Sequence, residues 1–79
     1  MLKYIVFMDN SAVVFSNSTS HKFVAGDKAV RSAGFCRIET YRNQFDDVRA
    51  KVSVWGRSDT LNVDSDPSDA ELISMMFIQ

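Results

Sequence analysis

Residues 48–55, VRAKVSVW, alternate more cleanly than any other stretch of the chain. Val48, Ala50, Val52 and Val54 fall on one side of an extended backbone, and Arg49, Lys51, Ser53 and Trp55 on the other. Successive side chains of a strand point to opposite faces, so this pattern predicts a strand with one buried side and one wet side. Such a valine row needs a cover, and the carboxy-terminal segment offers one. There Asp66 reads as an N-cap, Pro67 as the first helical residue, and Asp69 and Glu71 lie near the positive end of the helix dipole. The predicted helix runs from Pro67 to about Phe77. Ala70, Leu72, Ile73, Met75, Met76 and Phe77 spread over roughly 220° of its circumference, about twice what packing on a sheet requires. Glu71 and Ser74 mark the remaining wet strip.

Outward from this strand, Asn43–Asp47 reads as a turn and residues 29–42 as an extended partner. Cys36, Ile38 and Thr40 share one face of that partner; Phe35, Arg37, Glu39 and Tyr41 share the other. Ala33-Gly34 within it predicts a bulge or a close backbone approach. Residues 2–8, LKYIVFM, form a strand with apolar groups on both faces: Leu2, Tyr4, Val6 and Met8 against Ile5 and Phe7. A strand of that kind is central or covered twice. Asp9-Asn10 predicts a two-residue hairpin loop leading into a return strand at Ala12–Ser16. Ser18, Thr19 or Ser20 caps a short helix, His21–Ala25, that stops at Gly26. A further extended piece is expected around Leu61 and Val63. The order predicts one small α+β domain over residues 1–79: an antiparallel sheet of four to five strands, a short connecting helix, and a C-terminal helix packed on one face.

Composition narrows the function classes. A chain of 79 residues that is 46% hydrophobic and 24% charged can fold but has a small core, which a dimer would enlarge. One cysteine and one histidine supply neither an internal disulfide nor a structural zinc site. No apolar run approaches the roughly 20 residues of a membrane span. The opening MLKYIVFMDN meets Asp9 too soon for a signal peptide. A reduced, cytoplasmic protein is expected, away from membranes and without a cofactor. Charge is uneven: residues 28–57 carry seven cations and three carboxylates, whereas residues 58–79 carry five carboxylates and no cation.

The expected wet face of the hairpin holds Phe35, Arg37, Glu39, Tyr41, Arg49, Lys51, Ser53 and Trp55. Long basic stems over exposed rings describe an ordinary sheet surface. The same set suits protein recognition, because Trp, Tyr and Arg are enriched at interface hot spots. Trp55, Tyr41, Arg37, Arg49 and Lys51 are the candidate partner-binding residues. Cations interleaved with aromatic rings also suit single-stranded nucleic acid, but net charge -1 and Glu39 in the middle of the face count against it. Met75, Met76, Phe77 and Ile78 form a candidate self-association patch, the route to a homodimer. His21 reads as a surface or capping residue, and Cys36 as a buried, inert thiol. Asp64, Asp66 and Asp69 lack the glycine and terminal glutamate of a calcium loop and read as a helix cap. No motif assembles an acid, a base and a nucleophile, so no catalytic residue and no metal ligand is expected.

Two stretches, Ser20 to Ile38 and Trp55 to Ile73, carry a likeness. Ser32-Ala33-Gly34-Phe35 is followed by Gly56-Arg57-Ser58-Asp59-Thr60-Leu61 and then by Pro67-Ser68-Asp69-Ala70. In this the chain resembles a recurrent type of small bacteriophage and prophage protein, over roughly half to two-thirds of its length. The shared motifs are turn and cap chemistry, so no functional residue is carried over. The resemblance implies a phage genomic origin, a place in the cytoplasm of a bacterial host, and action by binding a host or phage protein, including inhibition of a host or defence factor.

Overall fold

The computed structural model describes residues 1–77. Strands β1 (Leu2–Phe7), β2 (Ala12–Ser16), β3 (Val30–Arg42) and β4 (Val48–Trp55) form an antiparallel sheet in the order β2-β1-β3-β4. Helix α1 (His21–Ala25) links β2 to β3. After β4 come β5 (Arg57–Ser58) and β6 (Val63–Asp64), which pair with each other, and then helix α2 (Asp69–Met75). The fold is the α+β arrangement that the sequence predicts.

β1 is central and covered on both sides, as its two apolar faces require. On one face Tyr4, Val6, Cys36 and Ile73 are fully buried, with Val52, Val54, Ile38, Leu72 and Phe77 packed around them. Val52 and Val54 of β4 lie in the core under α2, and Ala50 meets Ser74 there; Val48, nearer the ribbon's end, is not part of that core. On the other face Ile5, Phe7, Ala25 and Ala33 form a second core, closed by Phe15, Val24, Leu61 and Val63. α1 has only five residues, too few to hold a helix in water. Ser20 Oγ accepts the Phe23 N–H at 3.1 Å, and burial of His21 and Ala25 does the rest.

α2 is anchored by a buried polar cluster. Asp69 is 0% exposed, yet its carboxylate accepts from Tyr4 Oη at 2.6 Å, Arg31 at 3.0 Å and the Asp66 N–H at 3.1 Å. Arg31 also donates to Asn10 Oδ1 at 2.7 Å. The cluster joins β1, the β1–β2 loop, the start of β3 and the first turn of α2. Burial, reinforced by the hydrogen bond to Asp69, pushes the Tyr4 phenol far above its ordinary value.

Several expectations are corrected. The β1–β2 connection is longer than two residues: the Phe7 N–H reaches the Ser11 carbonyl, and Asn10 takes φ +67°. Asp9 accepts from the Ser11 N–H and hydroxyl, bonds that hold its carboxyl below the usual range and favour this wider turn. The bulge falls at residues 30–32, opposite Val6 and Phe7, and not at Ala33-Gly34. Gly34 is the close approach: a Cβ there would sit 2.6 Å from the Trp55 carbonyl oxygen. α2 begins at Asp69, two residues late. Asp66 accepts from the Ser68 N–H and hydroxyl, which depresses its pKa, and so it closes a preliminary turn through Pro67. The helix ends at Met75, with Met76 and Phe77 in a turn. Ser74 is not on a wet strip; it is half-buried and its hydroxyl donates to the Ala50 carbonyl at 3.0 Å.

Ser32 Oγ is buried with no hydrogen-bond partner among the described residues. Leaving a hydroxyl unsatisfied costs about 1–3 kcal/mol. Ser32→Ala is therefore expected to be neutral or to stabilise by up to about 1 kcal/mol, seen as a raised midpoint in urea unfolding; a clear loss would show that the hydroxyl has a partner in solution.

Candidate functional site

β1 pairs only with residues 30–36 of β3. Beyond that point β3 and β4 continue alone as a two-stranded ribbon, closed by the turn at residues 43–47. At about 3.3 Å per residue β3, with 13 residues, spans about 40 Å from end to end, comparable to the 41 Å long axis of the molecule. In the turn, Asn43 Oδ1 accepts the N–H groups of Phe45 and Asp47. Asp46 takes φ +62°, and Phe45 is left at the tip, 74% exposed.

The register places the candidate residues in directly opposed pairs: Phe35 with Trp55, Arg37 with Ser53, Glu39 with Lys51, and Tyr41 with Arg49. All lie on the face away from α2. Trp55 is 41% and Tyr41 53% exposed, and Arg37 and Lys51 are also exposed. Arg49 is half-buried, its guanidinium held by the Val48 carbonyl at 3.0 Å and by Asp47 at 3.6 Å. Glu39 is taken by Arg37, Nε to Oε1 at 3.1 Å, so its cross-strand partner Lys51 has no ion pair among the described residues. With three cations and one carboxylate the patch is net positive. Six residue steps separate Tyr41 from the Phe35–Trp55 pair, so the two outer rings lie about 20 Å apart with the charges between them.

All five proposed partner-binding residues thus meet on one open face. Phe35 does not join them. It is half-buried, and the His21 ring stands edge-on to it at 6.0 Å. His21 itself is no surface residue; it is 3% exposed, wedged between Phe15 and Phe35, and its Nε2 donates to the Gly34 carbonyl at 2.9 Å. The covering loop, residues 56–65, makes the difference. Gly56, at φ +77°, turns the chain back across β3, and Thr60 Oγ1 receives the Lys22 N–H. Cys36 is buried toward α2, and burial pushes its thiol up. Asp69 forms the buried cluster, Asp64 faces Arg57 at 3.8 Å, and no group of three metal-ligating side chains occurs among the described residues. In the self-association patch Met75 and Met76 are exposed, whereas Phe77 packs against the core. Ile78 lies outside the described residues.

Sequence reading missed Phe45, for which a hydrophobic residue inside a polar turn was the available signal. It also missed Lys3, a lone cation within an apolar strand.

The fold and the face together define a small α+β domain that presents a basic, aromatic ribbon beside a doubly covered sheet. No family model, curated protein or solved structure matches the chain. No helix among the described residues is long and apolar enough to cross a membrane.

Proposed function

We propose that this is a non-enzymatic protein-binding module, and that the open face of the β3–β4 ribbon is its contact surface. The observation that carries the reading is the register: Trp55, Tyr41, Arg37, Arg49 and Lys51 stand on one uncovered face, with Phe45 at its tip. Rings offer large contact area at low entropy loss, and the patch's net positive charge, with Lys51 outside any ion pair among the described residues, favours an acidic counterpart. Two edge carbonyls of β4 are already occupied, Ala50 by Ser74 and Val48 by Arg49, which disfavours recognition by added strands at that end and favours recognition by side chains. The resemblance to small phage proteins supports a bacterial cytoplasmic setting and a host or phage protein as the partner. Occupying a host or defence factor's surface would inhibit it without chemistry.

The test is affinity capture from host lysate, with the captured protein identified and then measured against purified variants. Trp55→Ala and Tyr41→Ala are each expected to weaken binding by about 2 kcal/mol, some thirtyfold, with unchanged thermal midpoints. Lys51→Ala is expected to slow association and to reduce its salt dependence. A partner whose affinity ignores all three changes removes the surface from this face. Capture of single-stranded nucleic acid in place of protein overturns the reading. Light scattering separates a foreign partner from a second copy joined through Met75 and Met76.

A further inference from the structure

The register aligns four side chains in one row across the whole sheet: Phe15 on β2, Lys3 on β1, Phe35 on β3 and Trp55 on β4. His21 of α1 sits over this row, 5.5 Å from the Phe15 ring and 6.0 Å from the Phe35 ring. Beside it opens a cleft of about 400 Å³, lined by Lys3, His21, Phe35, Gly56, Arg57 and Thr60, with Asp59 also at its wall. That volume lies within the range of about 300–1,000 Å³ typical of small-ligand sites.

Lys3 is the feature that the fold does not explain. It stands on the central strand, half-buried between two phenylalanines, and no carboxylate lies within ion-pair distance among the described residues. Its ammonium makes one hydrogen bond, to the Thr19 carbonyl at 2.9 Å. The stem lies between the two rings and the ammonium lines the cleft, where it is a cation available to an anion. Arg57 brings a second cation. Asn62 and two acidic neighbours, Asp59 at 3.5 Å and Asp64 at 3.8 Å, hold its Nη2 and Nε side. The cleft floor is apolar. Gly56 lies so close to the Phe35 ring that a Cβ would approach it to 2.9 Å, so the backbone packs on the ring's edge. His21 spends Nε2 on Gly34, and its other ring nitrogen has no hydrogen bond among the described residues.

We propose that this cleft binds a small organic anion with an aromatic ring, a phosphate monoester of the size of a nucleoside monophosphate. The anion is held by Lys3, Arg57 and the Thr60 hydroxyl, and the ring lies against Phe35. The site is separate from the contact surface of the ribbon, and the two stand or fall independently.

The probe is adenosine monophosphate, titrated into the full chain beside adenosine and inorganic phosphate, with backbone amide and His21 ring shifts followed by NMR. The nucleotide is expected to shift residues 3, 21–22 and 56–60 saturably, and to bind at least about tenfold more tightly than adenosine or phosphate. Lys3→Met and Arg57→Gln are each expected to weaken it about tenfold while the protein still unfolds cooperatively. Should Lys3→Met fail to fold, Arg57→Gln, on a half-exposed side chain, carries the test. No saturable shift with the nucleotide overturns the site. Equal binding of adenosine removes its anionic half, equal binding of phosphate removes its aromatic half, and affinity unchanged in both variants places the ligand elsewhere.

Discussion

Asp69→Ala is expected to lower stability by about 3 kcal/mol, which for a chain of this length lowers the thermal midpoint by on the order of 15 °C. The substitution leaves the Tyr4 hydroxyl, on a fully buried side chain, without its acceptor and frees the Asp66 N–H that tightens the turn before α2. The lower end of the usual range for breaking a buried pair applies, because Arg31 is about one-third exposed and water can take up its charge. Asp69→Asn keeps two of the acceptor contacts and is expected to lose roughly half as much. The cluster also predicts alkaline sensitivity. Tyr4 in the folded state keeps its proton above the ordinary phenol value of about 10, where the unfolded chain releases it. Its contribution is therefore complete below that pH and declines as pH rises beyond it. Tyr4→Phe removes this part of the decline, which urea unfolding at a series of pH values measures. An Asp69→Ala protein as stable as the parent would mean that the cluster is open to water.

Ile73→Ala is expected to destabilise the protein by about 3 kcal/mol through a different route. Ile73 is fully buried where α2 meets Tyr4, Val6 and Cys36, and a helix of seven residues has no other residue as deeply inserted from its apolar side. The lost side chain leaves a cavity, and α2 has too few turns to settle into it. Hydrogen exchange is expected to rise first in α2 and along β4, whose valines lose their cover, with β1 and β2 still protected. The ribbon's open face has no contact with Ile73, so Trp55 fluorescence in the native state is expected to stay the same. Uniform exchange in all elements would show that α2 and the sheet melt as one unit.

Much of the architecture is legible in local pattern. Val48–Trp55 states its own two faces, the Ser18–Ser20 cluster a cap that the structure assigns to Ser20, and Leu2–Phe7 its burial on both sides, because each depends on side chains within a few residues of one another. The candidate contact face follows from the same alternation, once β3 and β4 are joined by a turn whose Asn43 reads as turn chemistry. Less legible were the helix start and the loop lengths. Asp66 and Asp9 spend their carboxylates on serines two residues ahead, a choice that competes closely with capping and tight-hairpin geometry.

The chain by itself determined which segments are strands and which residues share a pleat, since period and turn chemistry are properties of neighbouring residues. Which side of the terminal helix is buried was settled by packing, which takes Ser74 in and leaves Met75 and Met76 out. Only the tertiary structure decided that residues 56–65 fold back over β3, burying His21 and half-burying Phe35 while Tyr41 and Trp55 stay in water. It also decided that Asp69 meets Tyr4 across 65 positions and that Lys3 falls between Phe15 and Phe35. These pairings join distant parts of the chain, and their energies come from burial and desolvation, which no local pattern encodes.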